Sequence, residues 1–339
     1  MRWIVLFGLA LPFAACRQTV VFDQTGSDGG GGPDAGPASC SGLPTAFDIE
    51  SPEVMVALDR SSGMSYARLG SGTVLSAARA GLDEFAARYQ KVVRFGYVEF
   101  PGSSQVCTSC GSSQGCTSCG ACAGMLSAPS ANLEGFSFFL HACEQMSGVC
   151  PDISQRPTSA ALTRCADVFG PPDPIRRYIL LVTNGEPDCG TGQTSGCSVA
   201  QGLVRDLYNR QQVMTVVLAP GQLDPDTSTC LQDVATAGGA SSNFRSATTQ
   251  TDLTNELGNI TRTIAMSACH LQLLQSPIQS ESKAAVFWKT TQIPNNHNDG
   301  WDLDHNGFEV VLHGQWCDRL IEDGAADFAV FSTCNPPRP

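Results

Sequence analysis

Positively charged residues are scarce in this sequence. Its 20 Lys and Arg stand against 32 Asp and Glu, which gives a formal net charge of -12 at pH 7. Binding to nucleic acid or to an anionic membrane surface depends on basic residues that neutralise phosphates. The composition therefore argues against both partners. An acidic surface is compatible with cation binding, but solubility alone is a sufficient explanation for it.

Long apolar runs and catalytic motifs are also missing. After residue 15, no stretch is apolar for long enough to form a membrane-spanning helix. No Gly-x-Ser-x-Gly elbow joins an expected strand to an expected helix, and the sequence contains no His-Glu-x-x-His motif and no phosphate-binding loop. No acid and base stand at a recognisable spacing. We therefore expect that this protein is not an enzyme.

The N-terminus is typical of an export signal. Arg2 supplies positive charge, and the apolar run over residues 4–15 is too short to span a bilayer. The small residues directly before Cys16 resemble the processing site of bacterial lipoproteins, where the cysteine is lipidated and becomes the mature N-terminus. We expect residues 1–16 to be the signal peptide with its lipidation site. The protein would be exported and lipid-anchored in the cell envelope, with the outer membrane as the expected location.

A segment that cannot build a core follows this site. Residues 17–39 are rich in Gly, Pro and Asp. Such a segment buries little apolar area and is typical of a flexible tether. It would hold the folded part of the chain away from the membrane. The alternative is an ordinary signal peptide with a chance cysteine, in which case the protein has no lipid anchor.

Cysteine is abundant, with 16 residues. In an exported protein so many cysteines imply disulfides. If Cys16 carries lipid, an odd number remains, so one cysteine is free or pairs with another molecule. A Cys-rich insertion over residues 101–156 has spacings that also suit a metal or a cluster. An oxidising compartment favours disulfides for its cysteines, which are Cys107, Cys110, Cys116, Cys119 and Cys122.

Other cysteines suggest further disulfides. Three are candidates to join the network of the insertion: Cys143, Cys150 and Cys165. Three further pairs are candidates, although the sequence does not fix the connectivity: Cys189 with Cys197, Cys40 with Cys269, and Cys317 with Cys334.

From residue 54 the sequence alternates between strand-like apolar runs and helix-like amphipathic runs. The run from Tyr178 to Thr183 is apolar throughout, as expected of a strand buried on both faces. Apolar residues at helical spacing occupy positions 74–89. Strands that alternate with helices predict an α/β fold, with a doubly wound, mainly parallel sheet flanked by helices over residues 40–268. Short strands without helices predict a small antiparallel β domain over residues 269–339.

Oxygen-bearing side chains follow the expected strands. Asp59 and Ser61 come directly after the strand at residues 54–58, and Asn184 ends the central apolar strand. Thr158 begins a helix after the insertion. Open α/β sheets bind ligands at the carboxyl ends of their strands, and oxygen ligands suit a hard ion. These four residues therefore predict an Mg²⁺ site, in which Mn²⁺ would substitute.

This arrangement resembles the von Willebrand factor type A domain, also known from integrin I domains. The similarity covers about residues 46–267. In that family a metal-ion-dependent adhesion site uses an Asp-x-Ser-x-Ser motif, a threonine and a later aspartate. It leaves one coordination position open for a carboxylate of the ligand. Asp59 and Ser61 match the first motif, and Thr158 matches the threonine.

Two positions depart from the family's pattern. Gly63 stands in the place of the second serine, and Asn184 stands in the place of the later aspartate. The resemblance thus implies a degenerate site with weak Mg²⁺ binding. It implies a surface-tethered adhesion or protein-binding module that recognises an unidentified protein or glycan. A metal-free structural lipoprotein of the cell envelope is the alternative.

The C-terminal part contains one further motif. Residues 302–307 match the start of an EF-hand calcium loop, but His313 stands where the closing acid belongs. The dipeptide Asn306-Gly307 predicts a hairpin turn, which explains the segment better. His297, His305 and His313 are interpreted as surface residues, because their spacing crosses this turn.

Overall fold

The computed structural model describes residues 18–20, 40, 43–101, 126–130, 135–138, 140–141, 155–169, 175–188, 195–275, 277–304 and 306–334. Cys16, His305 and most of the tether lie outside these residues. So do the cysteines of the insertion, together with Cys143, Cys150 and Cys189. The predictions made for them stay predictions.

Short strands and longer helices alternate through most of the chain. The strands are β1 (Gln18–Val20), β2 (Phe47–Ile49), β3 (Glu53–Asp59), β4 (Arg68–Leu69), β5 (Gly72–Thr73), β6 (Arg94–Phe100), β7 (Leu126–Ser130), β8 (Arg177–Val182), β9 (Val213–Pro220), β10 (Arg245–Ala247), β11 (His270–Leu273), β12 (Ala285–Trp288), β13 (Thr291–Ile293), β14 (Trp301–Leu303), β15 (Glu309–Leu312) and β16 (Phe328–Phe331). The helices are α1 (Ser62–Tyr66), α2 (Val74–Tyr89), α3 (Thr158–Phe169), α4 (Gly196–Gln211), α5 (Pro225–Ala237), α6 (Gln250–Ala265) and α7 (Gln315–Asp323). No helix in this described part is long and apolar enough to cross a membrane.

The main sheet confirms the predicted fold class. Its strand order is β10-β9-β8-β3-β6-β7, and every neighbouring pair is parallel except β6 with β7. Because successive side chains of a strand point to opposite faces, β3 supplies two cores. Val54, Val56 and Leu58 pack with α2 and α6. Met55 and Ala57 pack with α3, α4 and α5. The sheet is therefore covered by helices on both faces.

The first residue of each long helix on one face is set by a polar cap. Thr73 Oγ1 accepts from Ser76 N at 3.1 Å, and the Ser76 hydroxyl accepts in return from Thr73 N. Thr249 and Asp252 form the same reciprocal pair at α6. These contacts satisfy amide groups that have no partner inside a helix, so α2 and α6 begin at defined points on the same face of the sheet.

The C-terminal residues form antiparallel sheets, as predicted. One has the order β1-β2-β11-β15-β14 and the other β13-β12-β16. The hairpin prediction at Asn306-Gly307 is confirmed, since β14 and β15 are antiparallel neighbours on either side of it. The expectation of strands without helices is wrong for α7. Trp316, Leu320 and Ile321 recur there at helical spacing and are buried against the main core.

The N-terminal part contributes to this C-terminal sheet. Strand β2 pairs with β11, where Ile49 faces Leu271. Strand β1 pairs with β2, so an unstructured tether is the wrong expectation for residues 18–20. Phe47, Leu82 and Leu271 share one buried cluster. The C-terminal sheet thus includes residues that lie far ahead of the predicted boundary at 268/269.

The disulfides correct the expected pairings. The bonds join Cys40 to Cys334, Cys197 to Cys230, and Cys269 to Cys317. The pairs Cys40–Cys269, Cys317–Cys334 and Cys189–Cys197 are therefore wrong. Cys40 meets Cys334 because the two segments run side by side as an antiparallel bridge. Cys165 is free and buried, so it joins no disulfide network, and burial raises the pKa of its thiol.

Candidate functional site

The carboxyl edge of the main sheet brings three of the four predicted oxygen ligands together, namely Asp59, Ser61 and Asn184. Strands β3 and β8 are parallel neighbours in which Leu58 faces Val182. The residues that follow this pair, Asp59 and Thr183, therefore lie side by side. Ser61 precedes α1, and Asn184 follows Thr183 in the loop after β8.

Asp59 is the centre of this edge and has no solvent exposure. Its Oδ1 accepts from Ser61 N at 2.7 Å, and its Oδ2 accepts from the Thr183 hydroxyl at 2.7 Å. Burial raises the pKa of Asp59, because a carboxylate loses hydration inside the protein. The hydrogen bonds from Thr183 and Ser61 and the charge of Arg156 oppose this shift, but the pKa stays above its ordinary value.

Arg156, which was not among the predicted site residues, lies against Asp59. Arg156 Nε is 3.3 Å from Asp59 Oδ2, and the arginine side chain is 22% exposed. Two glycines make room for its guanidinium. A Cβ added to Gly63 would lie 2.3 Å from Nη2, and a Cβ added to Gly185 would lie 2.2 Å from Cζ. The Gly63 departure from the family pattern therefore has a steric reason.

The backbone on either side of Arg156 is held by hydrogen bonds. Arg156 N donates to Asp188 Oδ1 at 2.7 Å, and Arg156 O accepts from Thr158 N at 2.7 Å. Thr158 is fully buried at the start of α3, and its hydroxyl donates to Arg156 O at 3.4 Å. Thr158 thus supports the segment that carries the arginine.

Asn184 also contacts the edge without replacing the missing charge. Its Nδ2 donates to Gly63 O at 2.9 Å, which ties the β8 loop to α1. Its Oδ1 is buried, and no donor among the described residues meets it. Ser61 Oγ is likewise buried without a hydrogen bond among the described residues, so these two oxygens are the features of the edge that still suit a cation.

The residues present do not fit a resident divalent metal while Arg156 holds this position. A guanidinium already neutralises Asp59, and the second hydroxyl and the second carboxylate of the family pattern are replaced by Gly63 and Asn184. Two like charges at about 4 Å repel by about 4 kcal/mol at an effective dielectric constant of about 20. A dication would have to displace the arginine first.

A second buried ion cluster lies next to this edge. Glu99 on β6 is paired with Arg79 of α2 at 2.5 Å, and Arg60 Nε is 3.9 Å from its other oxygen. Burial raises the pKa of Glu99, and the two arginines oppose this. Arg60 also donates to Pro101 O at 2.7 Å. The cluster joins α2 to the ends of β3 and β6, so it fixes the backbone on which Asp59 stands.

The sequence carried a weak signal for Arg156. It directly precedes Pro157-Thr158, and two positions around the expected ion, Gly63 and Gly185, lack a side chain. Residues without side chains beside a buried acid leave space for a large neighbour. The sequence did not identify Arg156 as this neighbour, because Arg156 lies at the end of a long insertion and the path of that insertion back to the sheet edge is not indicated by any local pattern.

Comparisons with known proteins agree with the fold. The sequence matches no family model and has no match among curated proteins. The pilus adhesin SpaC of Lactobacillus rhamnosus GG is 10% identical, with a match that covers 86% of this chain and 41% of that chain at a TM-score of 0.50. BatB of Bacteroides thetaiotaomicron is 14% identical over 64% of this chain and 98% of that chain, with a TM-score of 0.43. The PilB minor pilin of Streptococcus sanguinis is 11% identical over 66% and 62%, with a TM-score of 0.44.

The likeness to SpaC concerns the fold alone, since the identity is low, and the other two likenesses are too weak to support any conclusion. The fold class is von Willebrand factor A-like, as the sequence resemblance implied, with a mainly parallel sheet between two helical layers.

Proposed function

We propose that this protein is a surface-tethered binding module whose ligand site lies at the carboxyl edge of the main sheet and uses Arg156 as its cation. The ion pair between Arg156 and Asp59 supports this proposal. It places a positive charge where the resemblance implies a metal. A partly exposed guanidinium beside a sheet edge is suited to bind a carboxylate through two parallel hydrogen bonds.

The ligand class follows from this chemistry. An acidic side chain of a protein partner and an acidic sugar of a glycan both present a carboxylate. Arg156 has only one described carboxylate within ion-pair distance, at its Nε, so its terminal nitrogens are the groups to offer a ligand. The local positive charge lies in a protein of net charge -12, so specificity would come from this edge and not from a general attraction for anions.

A structural module is the second candidate, and one observation favours it. Asp59 already receives hydrogen bonds on both oxygens and an ion pair from Arg156, all from within the chain. Such a set stabilises the sheet edge without any ligand. In this case the protein would be a metal-free structural lipoprotein of the envelope. Both candidates retain the proposed lipid on Cys16.

A glycan and peptide array distinguishes these candidates. The full chain is applied in EDTA, and acidic glycans and Asp- or Glu-containing peptides are compared with their neutral counterparts. We expect binding to carboxylate probes that Arg156→Ala removes. Arg210→Ala is the matched control, because the ion pair that Arg210 forms among the described residues is an exposed one, with Asp206 at 3.8 Å. Binding that appears only with Mg²⁺ would restore the metal-dependent interpretation, and no binding under either condition would support the structural module.

A further inference from the structure

We propose that His297, Asp302 and His313 form a binding site for a transition-metal ion, with Zn²⁺ as the expected occupant. Asp302 Oδ2 lies 2.5 Å from His297 Nδ1, and Asp302 Oδ1 lies 3.0 Å from His313 Nε2. One ligand atom of each residue lies within 4.8 Å of the other two. The two imidazole rings are 4.6 Å apart at an angle of 52°.

The backbone brings these residues together from three segments. Asp302 is the middle residue of β14, where it faces Val311 of β15. His313 follows β15 directly, and its N donates to Gly300 O at 2.8 Å. His297 lies in the loop between β13 and β14. His297 is exposed, as the sequence predicted, and His313 is half-buried. The hairpin and the loop converge and bring the two rings together, which the spacing in the sequence did not indicate.

The loop that carries His297 has a defined conformation. Asn296 N donates to Trp301 O at 3.1 Å, and Trp301 N donates to Pro294 O at 3.0 Å. Gly300 is required here, since an added Cβ would lie 2.1 Å from Pro294 O. The Trp301 side chain is 2% exposed, and its Nε1 donates to Ile293 O at 3.1 Å. A fixed loop lowers the entropy that a metal ligand loses on binding.

His297 Nδ1 forms a hydrogen bond with Asp302 Oδ2, but the geometry at His313 favours a metal over a second hydrogen bond. His313 Nε2 is buried and only 3.0 Å from a carboxylate oxygen, yet within the described part of the chain it makes no hydrogen bond. Atoms that share a tetrahedral Zn²⁺ at about 2.0–2.1 Å lie about 3.3 Å apart without bonding to each other. The two histidine–carboxylate distances, 2.5 Å and 3.0 Å, need only a small outward shift, and His297 is 79% exposed and able to make it.

The donor set selects the class of metal. Two imidazole nitrogens and one carboxylate suit Zn²⁺ and other late divalent metals, whereas Mg²⁺ and Ca²⁺ prefer oxygen ligands. Three protein ligands leave a fourth position for water or for a side chain of a partner. This site is separate from Asp59, so it does not depend on the function proposed for the sheet edge.

Metal binding to the full chain tests this proposal. After EDTA treatment, Zn²⁺ is titrated with a chromophoric competitor, and Co²⁺ substitution reports the ligands by its visible spectrum. We expect His297→Ala and Asp302→Asn each to weaken one Zn²⁺ site by at least about tenfold, the loss that even outer-shell partners cause. His270→Ala is the matched control, because within the described part of the chain His270 pairs with the carboxylate of Glu309 and with no second histidine.

The same experiment shows whether the metal is bound by the histidine site or by the cysteines of the Cys-rich insertion. A Co²⁺ spectrum without thiolate charge transfer, abolished in His297→Ala, supports the histidine site. Zn²⁺ affinity that is unchanged in both His297→Ala and Asp302→Asn would overturn the proposal. His297 is largely exposed, so its replacement should not affect folding. Circular dichroism of each variant checks this.

Discussion

Removing the Arg156 side chain should convert the sheet edge into a Mg²⁺ site. In the native protein a dication must either sit beside the guanidinium or displace it. Two unit charges 4 Å apart repel by about 4 kcal/mol at an effective dielectric constant of about 20, and a divalent ion doubles this to about 8 kcal/mol. Displacement costs less, because the arginine is partly exposed and gives up chiefly its ion pair with Asp59.

The cost of displacement sets the expected gain. Breaking an exposed pair costs about 1 kcal/mol, and removing one partner of a buried pair costs about 3–5 kcal/mol. Asp59 is buried and Arg156 is partly exposed, so an intermediate cost of about 1.4–2.8 kcal/mol applies. Arg156→Ala should therefore bind Mg²⁺ about tenfold to hundredfold more tightly than the native protein.

Two further substitutions should add to this effect. Gly63→Ser restores a hydroxyl and places a Cβ 2.3 Å from the present position of Arg156 Nη2, so it also expels the arginine. Asn184→Asp restores a carboxylate. Gly202→Ser is the matched control, because a Cβ at Gly202 contacts nothing within 4 Å. The affinity should rise from the native protein through Arg156→Ala to the triple variant.

Calorimetric titration with Mg²⁺ and Mn²⁺ measures these affinities. Equal binding by the native protein and Arg156→Ala would refute the reasoning, because the arginine would then not compete with the metal. A triple variant that binds no ion at millimolar concentration would show that the edge lacks the geometry of a metal site. Unfolding in urea, measured for each variant, separates a change in affinity from a loss of structure.

Three other predictions concern stability and anchoring. Arg79→Met should lower the free energy of unfolding by about 3–5 kcal/mol, since it removes the closer of the two arginines that pair with the buried Glu99. Arg88→Met breaks an exposed pair at 4.0 Å and should cost less than about 1 kcal/mol in the same urea titration. Because the folded pKa of Asp59 is raised, the native protein should lose stability relative to Asp59→Asn as the pH rises above about 4. If the unfolding free energy of the native protein minus that of the variant stays constant or increases with pH, this reasoning is wrong. Cys16→Ser should release the protein from membranes, and unchanged fractionation with an intact peptide across residue 16 would count against lipidation.

The fold class was predictable because its signals are local. The apolar run at Tyr178 to Thr183 can form only a strand buried on both faces, and residues 74–89 have helical spacing over several turns. Helix α7 was missed because it is short and follows a strand almost directly. The partner of β2 and the bond between Cys40 and Cys334 depend on contacts between distant parts of the chain, which no local pattern records.

The site was predictable in part for the same reason. Asp59 and Asn184 each lie at the end of an identifiable strand, and parallel strands place their ends at one edge. Arg156 reaches that edge from a loop whose path no periodicity indicates. The convergence of His297 and His313 likewise depends on how a loop folds back over a hairpin.

The position of β3 has a mechanical consequence. The chain enters β3 at Glu53, shortly after the strand β2 and the Cys40–Cys334 bond. It leaves β3 at Asp59, which pairs with Arg156, the residue proposed to bind the ligand. The seven residues of β3 span roughly 23 Å. Tension between an anchored N-terminus and a bound ligand would thus run lengthwise along this central strand. Its ladders to β6 and β8 would be loaded in shear, so their hydrogen bonds would resist together and not one after another.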